Sequence, residues 1–313
     1  MLVKRYSKED IDWNIGSLYA HDDFVWKTLK VCREIKEDSK IKYVFGSIPC
    51  ILQGGRIPPR TATLDDALKI IDDYNDLSVG CRLTFSSTSV TEEELKDDLA
   101  NSLIYHLDYN NRWYNERNGV IVSSDLLADY IKKTYPTVEV IASQVKPTVE
   151  VGLGNDTSEY YNNLFNLYDT VVVNPFKIND GKFLENLKHH DRVEFIVNHR
   201  CLPNCPMASK HYILQEQVGK EALKSEDGRC TEETLNSLTE LLRECYDRRK
   251  HYPLAGTSLS YSDIEYLISL GFKHFKLEGR DCEGTTFVRD MGDYIFNHEV
   301  FSRLSQSILG SAI

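Results

Sequence analysis

The sequence predicts an α/β protein: a (β/α)8 barrel of the TIM type, modified by an N-terminal helical extension and by an insertion after the sixth strand. Three observations predict it. From Ile41 onward, short β-rich runs alternate with helical segments, the order of βα units around a parallel sheet. Eight such runs can be marked, the number that closes a barrel. The last of them, Phe275-Lys276-Leu277-Glu278-Gly279-Arg280-Asp281, alternates apolar and charged residues. Strand side chains alternate faces, so His274, Lys276, Glu278 and Arg280 share one face and Phe275 and Leu277 the other. Unpaired charges cost too much inside a plain core. The pattern fits a strand with helices behind it and a barrel mouth in front; the plainer alternative is an edge strand with a solvated charged face.

Residues 1–40 read as the helical extension. Ser7-Lys8-Glu9-Asp10 suits a first helix cap, and residues 22–36 carry Phe24, Val25, Leu29, Val31, Cys32 and Ile35 at helical spacing. Residues 41–313 read as the barrel. Its first run covers 42–48, followed by a long loop with Gly54-Gly55-Arg56 and by a helix that Thr63 caps and that runs to Tyr74. The second run, 77–87, precedes a helix over 91–109; the third, 119–124, a helix over 125–134; the fourth, 138–143, a helix over 158–167. The fifth, 169–174, precedes a helix over 181–189, and the sixth covers 192–198. An irregular insertion over 199–251 follows, with a helix from Thr231 to about Arg249. The seventh run, 254–259, is the weakest; a helix over 262–270 leads from it to the eighth. C-terminal helices to about Leu309 back the barrel.

At 313 residues the chain lies within the range of one barrel with insertions, and 41% hydrophobic residues suffice for its core. The net charge of −11 disfavours a broad nucleic-acid or anionic-membrane surface, which needs a positive field. No apolar run is long enough to span a bilayer, and Met1 to Asp10 lacks the apolar core of a signal peptide. A cytoplasmic protein is expected. Its eight cysteines then read as reduced, most of them as small core residues. The residues leave a protein partner and a homo-oligomer both open.

A barrel of this kind works at the C-terminal ends of its strands. Alternation points Arg82, Thr84 and Ser86 inward on one strand, Asn174 on another, and Glu194, Ile196 and Asn198 on a third. Ser143 and Gln144 end a fourth, and Lys276, Glu278 and Arg280 line the last. Arg holds a carboxylate or phosphate in a fork, and Lys acts as a point charge. Glu278 is placed to fix a cation or to accept a proton. Arg82, Asn174, Asn198, Gln144 and Arg56 are therefore the candidate binders of an anionic small molecule or modified base, and Glu278, Lys276 and Arg280 the candidate catalytic groups. The alternative is a self-satisfied ring of ion pairs. Cys201 and Cys205 stand four apart with Pro206 after them, a spacing that suits two ligands of an iron–sulfur cluster or zinc. Cys230 and Cys245, in the same insertion, are the candidates to complete the set; His199 and His211 are further candidate ligands. Gly54-Gly55-Arg56 offers backbone N–H groups to an anion but is no P-loop, since no Gly-Lys-Ser/Thr follows. Neither a Gly-x-Ser-x-Gly nor a His-Glu-x-x-His motif is present.

Phe275-Lys276-Leu277-Glu278-Gly279-Arg280 resembles the Phe-Lys-Ile-Glu-Gly-Arg signature of the collagenase-like peptidase family, the peptidase U-thirty-two superfamily. Residues 119–124, Leu126 to Tyr130 and 136–143 resemble that family's strand, helix and second strand ending in Ala-Ser. Cys201-Leu202-Pro203-Asn204-Cys205 is similar to its Cys-x3-Cys pair, although the spaced cysteines that precede the pair in the family are absent between Phe85 and Arg200. The resemblance, over roughly residues 77–285, implies a modified (β/α)8 barrel. It also implies a [4Fe–4S] enzyme of oxygen-independent hydroxylation or RNA modification, or a peptidase. A non-catalytic barrel binding a metabolite or a protein is the third expectation.

Overall fold

In the computed structural model, the polypeptide winds into a closed barrel of eight parallel strands. The structure describes residues 1–7, 10–54, 63–152, 155–202, 205–251, 257–279 and 283–310. The strands are β1 (Asp12–Ile15), β2 (Ile41–Gly46), β3 (Gly80–Phe85), β4 (Gly119–Val122), β5 (Glu139–Ala142), β6 (Thr170–Val173), β7 (Val193–Ile196), β8 (Asn198–His199), β9 (Thr257–Ser258) and β10 (His274–Leu277). The barrel runs in the order β1-β10-β7-β6-β5-β4-β3-β2, and every neighbouring pair is parallel. β8 and β9 form a separate antiparallel ribbon.

The expected number of strands is right, but one member differs. Residues 1–40 hold the expected helix, at Asp22–Glu34, but are not an extension: β1 lies within them and closes the barrel between β2 and β10. It is only four residues long, with Trp13 and Ile15 buried toward the helices, and the polar residues before it read as a helix cap. The expected seventh strand is not a barrel strand. Its described part, β9, pairs with β8 beside the mouth, and residues 252–256 lie outside the described ones.

Strand alternation builds two apolar layers. Leu83, Phe85, Val171, Val173, Val193, Phe195, Phe275 and Leu277 face outward into the main core, all essentially without exposure. Phe45, Ile121, Ile141, Val172 and Ile196 face inward and form a separate cluster that fills the barrel.

The helices are α1 (Asp22–Glu34), α2 (Leu64–Asn75), α3 (Asp98–Tyr114), α4 (Asp125–Thr134), α5 (Val145–Glu150), α6 (Ser158–Leu164), α7 (Gly181–Asn186), α8 (Ala208–Lys224), α9 (Glu232–His251), α10 (Tyr261–Ser269), α11 (Gly284–Tyr294) and α12 (His298–Gly310). Side-chain caps fix several of their starts. The Thr63 side chain accepts from the Asp66 N–H, Ser124 from Leu127, and Ser260 forms a capping box with Asp263. The insertion is more regular than expected. α8 packs on both α9 and α5, and Leu202, Cys205, Met207, Ala208, Leu214 and Leu241 form its own small core.

Candidate active site at the barrel mouth

The charged residues inside the barrel occupy two levels. Below, Arg82 Nη1 lies 2.9 Å from Glu194 Oε2 and Nη2 lies 2.9 Å from Glu139 Oε2. The guanidinium sits 3.6 Å from the Tyr43 ring centre. Asn14 donates to Glu194 at 3.1 Å, and Lys276 Nζ lies 3.6 Å from Glu194 Oε1. Burial alone would push the Glu194 carboxyl up; Lys276 and Arg82 outweigh it and hold it below the ordinary value. Burial would likewise lower Arg82, but Glu139 and Glu194 raise it. Two cations thus face two carboxylates. The ion-pair ring weighed from the sequence exists, and Arg82 belongs to it, two residues (roughly 6.6 Å of strand) below Thr84.

Above this ring the mouth opens on a small cavity of about 50 Å³. Its floor is Phe45, Ile121, Val172 and Ile196; Thr84, Ser86, Ser143, Gln144, Lys276 and Glu278 form its polar wall. The Lys276 ammonium lies 4.0 Å from the Phe45 ring centre, on the cavity floor. The Thr84 side chain is 6% exposed, and its Oγ1 has no hydrogen-bond partner among the described residues. Buried hydroxyls are rarely left so.

Glu278 is held from behind. Asn198 accepts from the Glu278 N–H at 2.7 Å and donates to its carbonyl at 2.7 Å, so one amide side chain fixes the backbone of Glu278 on both sides. Asn198 also donates to Asp290, which pairs with Arg200 at 2.7 Å. Asn198 is therefore a positioning residue, its amide already engaged. His199 Nδ1 lies 3.2 Å from Glu278 Oε2, and His199 is 3% exposed. Gly279 completes the turn: a Cβ there would collide with the Phe287 ring, and its carbonyl meets His21 Nε2 at 3.0 Å. This close approach is the physical content of the Glu-Gly pair.

The sequence points to Glu278, Lys276, Gln144, Ser143, Thr84 and Ser86, and the structure brings them together. Asn174 instead caps the turn after β6, its side chain accepting from Phe176 N–H. Arg56 and Arg280 lie outside the described residues. His199 as the partner of Glu278 escapes the alternation rule, because the chain leaves β7 at Ile196 and turns into the β8 ribbon. Tyr212 of α8 also lines the cavity; nothing in the sequence pattern marked that helix. One turn further, the Glu216 carboxylate accepts from the hydroxyls of Ser87, Thr88 and Ser89 at 2.5, 2.7 and 2.5 Å. It also accepts from the N–H groups of Thr88 and Ser89 at 2.8 and 3.1 Å. This clamp fixes α8 to the loop after β3.

The cysteine set does not fit one cluster. Cys201 hydrogen-bonds Cys205 and feels Cys245; burial, then these neighbours, push its thiol up to about 11. Cys230 precedes α9 and Cys245 lies in its second half, fifteen positions later, which at 1.5 Å per helical residue is roughly 22 Å. One cluster cannot take both. Among the described residues, no three His, Cys, Asp or Glu side chains are arranged to hold a metal ion. No described helix is long and apolar enough to cross a membrane.

No protein-family model matches the chain, and no curated protein does. Among solved structures, a U32 peptidase aligns with a TM-score of 0.54 at 16% identity, covering 88% of this chain and 95% of that one. A GH113 β-1,4-mannanase aligns at 0.39 and 12% identity, over 96% of this chain and 100% of its own. A GH18 chitinase from Pseudoalteromonas aurantia aligns at 0.38 and 9% identity, over 89% of this chain and 98% of its own. The likeness to the U32 peptidase is one of fold, the barrel that the sequence resemblance implies.

Proposed function

We propose that this barrel is an enzyme that takes a small anionic molecule, a carboxylate or an ionisable nucleobase, into its mouth and exchanges a proton with it through Glu278. One observation carries the reading. Glu278, backed by His199 at 3.2 Å, lines the same cavity as Lys276 and the buried Thr84 hydroxyl, which has no hydrogen-bond partner among the described residues. Lys276 supplies the charge for the anion, Thr84 and Gln144 its hydrogen bonds, and the apolar floor excludes water. Glu278 is the base, and His199 orients and recharges it. On this reading the protein sits in a reducing, cytoplasmic setting, where burial of Cys32, Cys50, Cys81 and Cys205 as small core residues is ordinary. Hydroxylation through an iron–sulfur cluster would need a ligand set other than Cys201, Cys205, Cys230 and Cys245.

Calorimetry against a panel of small carboxylates, phosphates and nucleobases tests the reading, with peptide cleavage assayed alongside. Binding of one class, weakened at least about tenfold in Lys276→Gln and in Thr84→Val, is expected. If nothing in the panel binds, or peptides are cleaved in a Glu278-dependent way, the small-molecule reading fails.

A further inference from the structure

α3 carries an aromatic stripe that the barrel does not use. Tyr105, Tyr109, Trp113 and Tyr114 are 61, 40, 71 and 64% exposed. Their rings contact one another in series: Tyr105 to Tyr109 at 6.5 Å, Tyr109 to Trp113 at 6.4 Å, and Tyr109 to Tyr114 at 6.1 Å. The opposite face of the helix, with Leu103, Ile104 and Leu107, is fully buried in the main core. The four rings are therefore surplus to the fold. Contiguous apolar patches of this kind mark contact surfaces more often than isolated exposed rings do.

The spacing says what would cover them. Tyr105, Tyr109 and Trp113 recur every four residues, forming one ridge of the i±4 type. Such ridges pack into the matching grooves of a second helix at roughly −50°. The ridge is symmetric about Tyr109. A two-fold axis through Tyr109 brings Tyr105 against the partner's Trp113 and Trp113 against the partner's Tyr105, the self-complementary pattern of an isologous interface. Charge follows the same symmetry. The N-terminal end of α3 exposes Glu92, Asp98 and the Glu93–Lys96 ion pair, 2.8 Å apart, for a net negative charge, and its C-terminal end exposes Arg112 and Arg117. Arg112 already pairs with Asp108 at 2.7 Å, which leaves Arg117, just past the helix, as the exposed cation at that end. The four rings offer roughly 500 Å² of aromatic surface. With the flanking, half-buried Ser102 and Glu116 this comes to about 600 Å² per partner, or about 1,200 Å² in all, the low end of specific interfaces.

We propose that this face joins a second copy of the chain through a two-fold crossing of α3. The dimer leaves the barrel mouth open on each copy, because the stripe occupies the outer face of a helix. The proposal is independent of what the mouth binds.

Sedimentation velocity on the full chain tests it. At roughly 50 μM, well above a micromolar dissociation constant, the wild type is expected at twice 36.0 kDa. Tyr109→Glu and Trp113→Glu are expected as monomers with unchanged circular dichroism, since both side chains lie outside the core. Iodide quenching gives a second readout. Of the three tryptophans, Trp13 is buried and Trp113 is the most exposed, so quenching should rise on dilution in the wild type and stay constant in Tyr109→Glu. A wild type that remains monomeric at that concentration overturns the proposal. So does a dimer that survives both substitutions, or a monomer whose stripe instead binds an oligosaccharide.

Discussion

Glu216 offers a sharp quantitative test, because its carboxylate gathers more hydrogen bonds between the insertion and the barrel than the Lys220 and Lys224 pairs with Glu94 beside it. It collects three hydroxyl and two backbone N–H donors from Ser87, Thr88 and Ser89, and Lys220 lies 3.2 Å away. Burial pushes its carboxyl up, but the Ser87, Ser89 and Thr88 donors outweigh burial and hold it at about 2. From an ordinary value near 4.3 that drop corresponds to roughly 3 kcal/mol, and to about 2 kcal/mol once partial water access is allowed for. A folded-state value below the unfolded one stabilises at high pH. The contribution is complete above about pH 4.5 and is lost as pH falls toward 2. Glu216→Gln keeps the shape and removes the charge. It should therefore lower hydrogen-exchange protection across α8 by roughly 30-fold at neutral pH, while β3 and β10 keep theirs. It should also abolish the acid-dependent loss of α8 protection between pH 4.5 and 2.5. Unchanged protection in the variant, or the same acid loss with and without the carboxylate, would refute the clamp.

Two other substitutions probe the frame of the site. Arg82→Met removes one of the two cations of the buried Glu194, leaving Lys276, and strips the part-buried Glu139 of its Arg82 partner; it should cost about 3 kcal/mol in urea unfolding, and a loss below about 1 kcal/mol would show the ring to be dispensable. Gly279→Ala drives a methyl group into Phe287; it should lower stability by roughly 1–3 kcal/mol and weaken binding at the mouth, whereas native stability would mean that Phe287 can move aside.

Much of this architecture was legible because the strand period is strict. Leu83 and Phe85 outward with Arg82 and Thr84 inward, or Phe275 and Leu277 outward with Lys276 inward, follow from alternation alone. β1 was not legible, because Asp12 and Asn14 are polar and face the barrel interior, so four residues carry only two apolar marks. Alternation also gives direction without depth. Arg82 and Lys276 both point inward, yet only the lysine reaches the cavity, because Arg82 starts lower on its strand and meets Glu139 and Glu194 there. The pairing of His199 with Glu278 depends on a ribbon formed with Thr257 and Ser258, far along the chain. The cysteines show the opposite failure: Cys230 and Cys245 share an insertion in sequence, but a single helix holds them apart.

Solvent-deuterium exchange into a bound ligand, followed by proton NMR, bears most directly on the role of Glu278. The wild type should exchange an acidic C–H proton of the ligand at a rate that falls at least about 100-fold in Glu278→Gln, while the ligand still binds. Exchange that continues unchanged in Glu278→Gln, with the ligand demonstrably bound, would contradict a proton-transferring mouth.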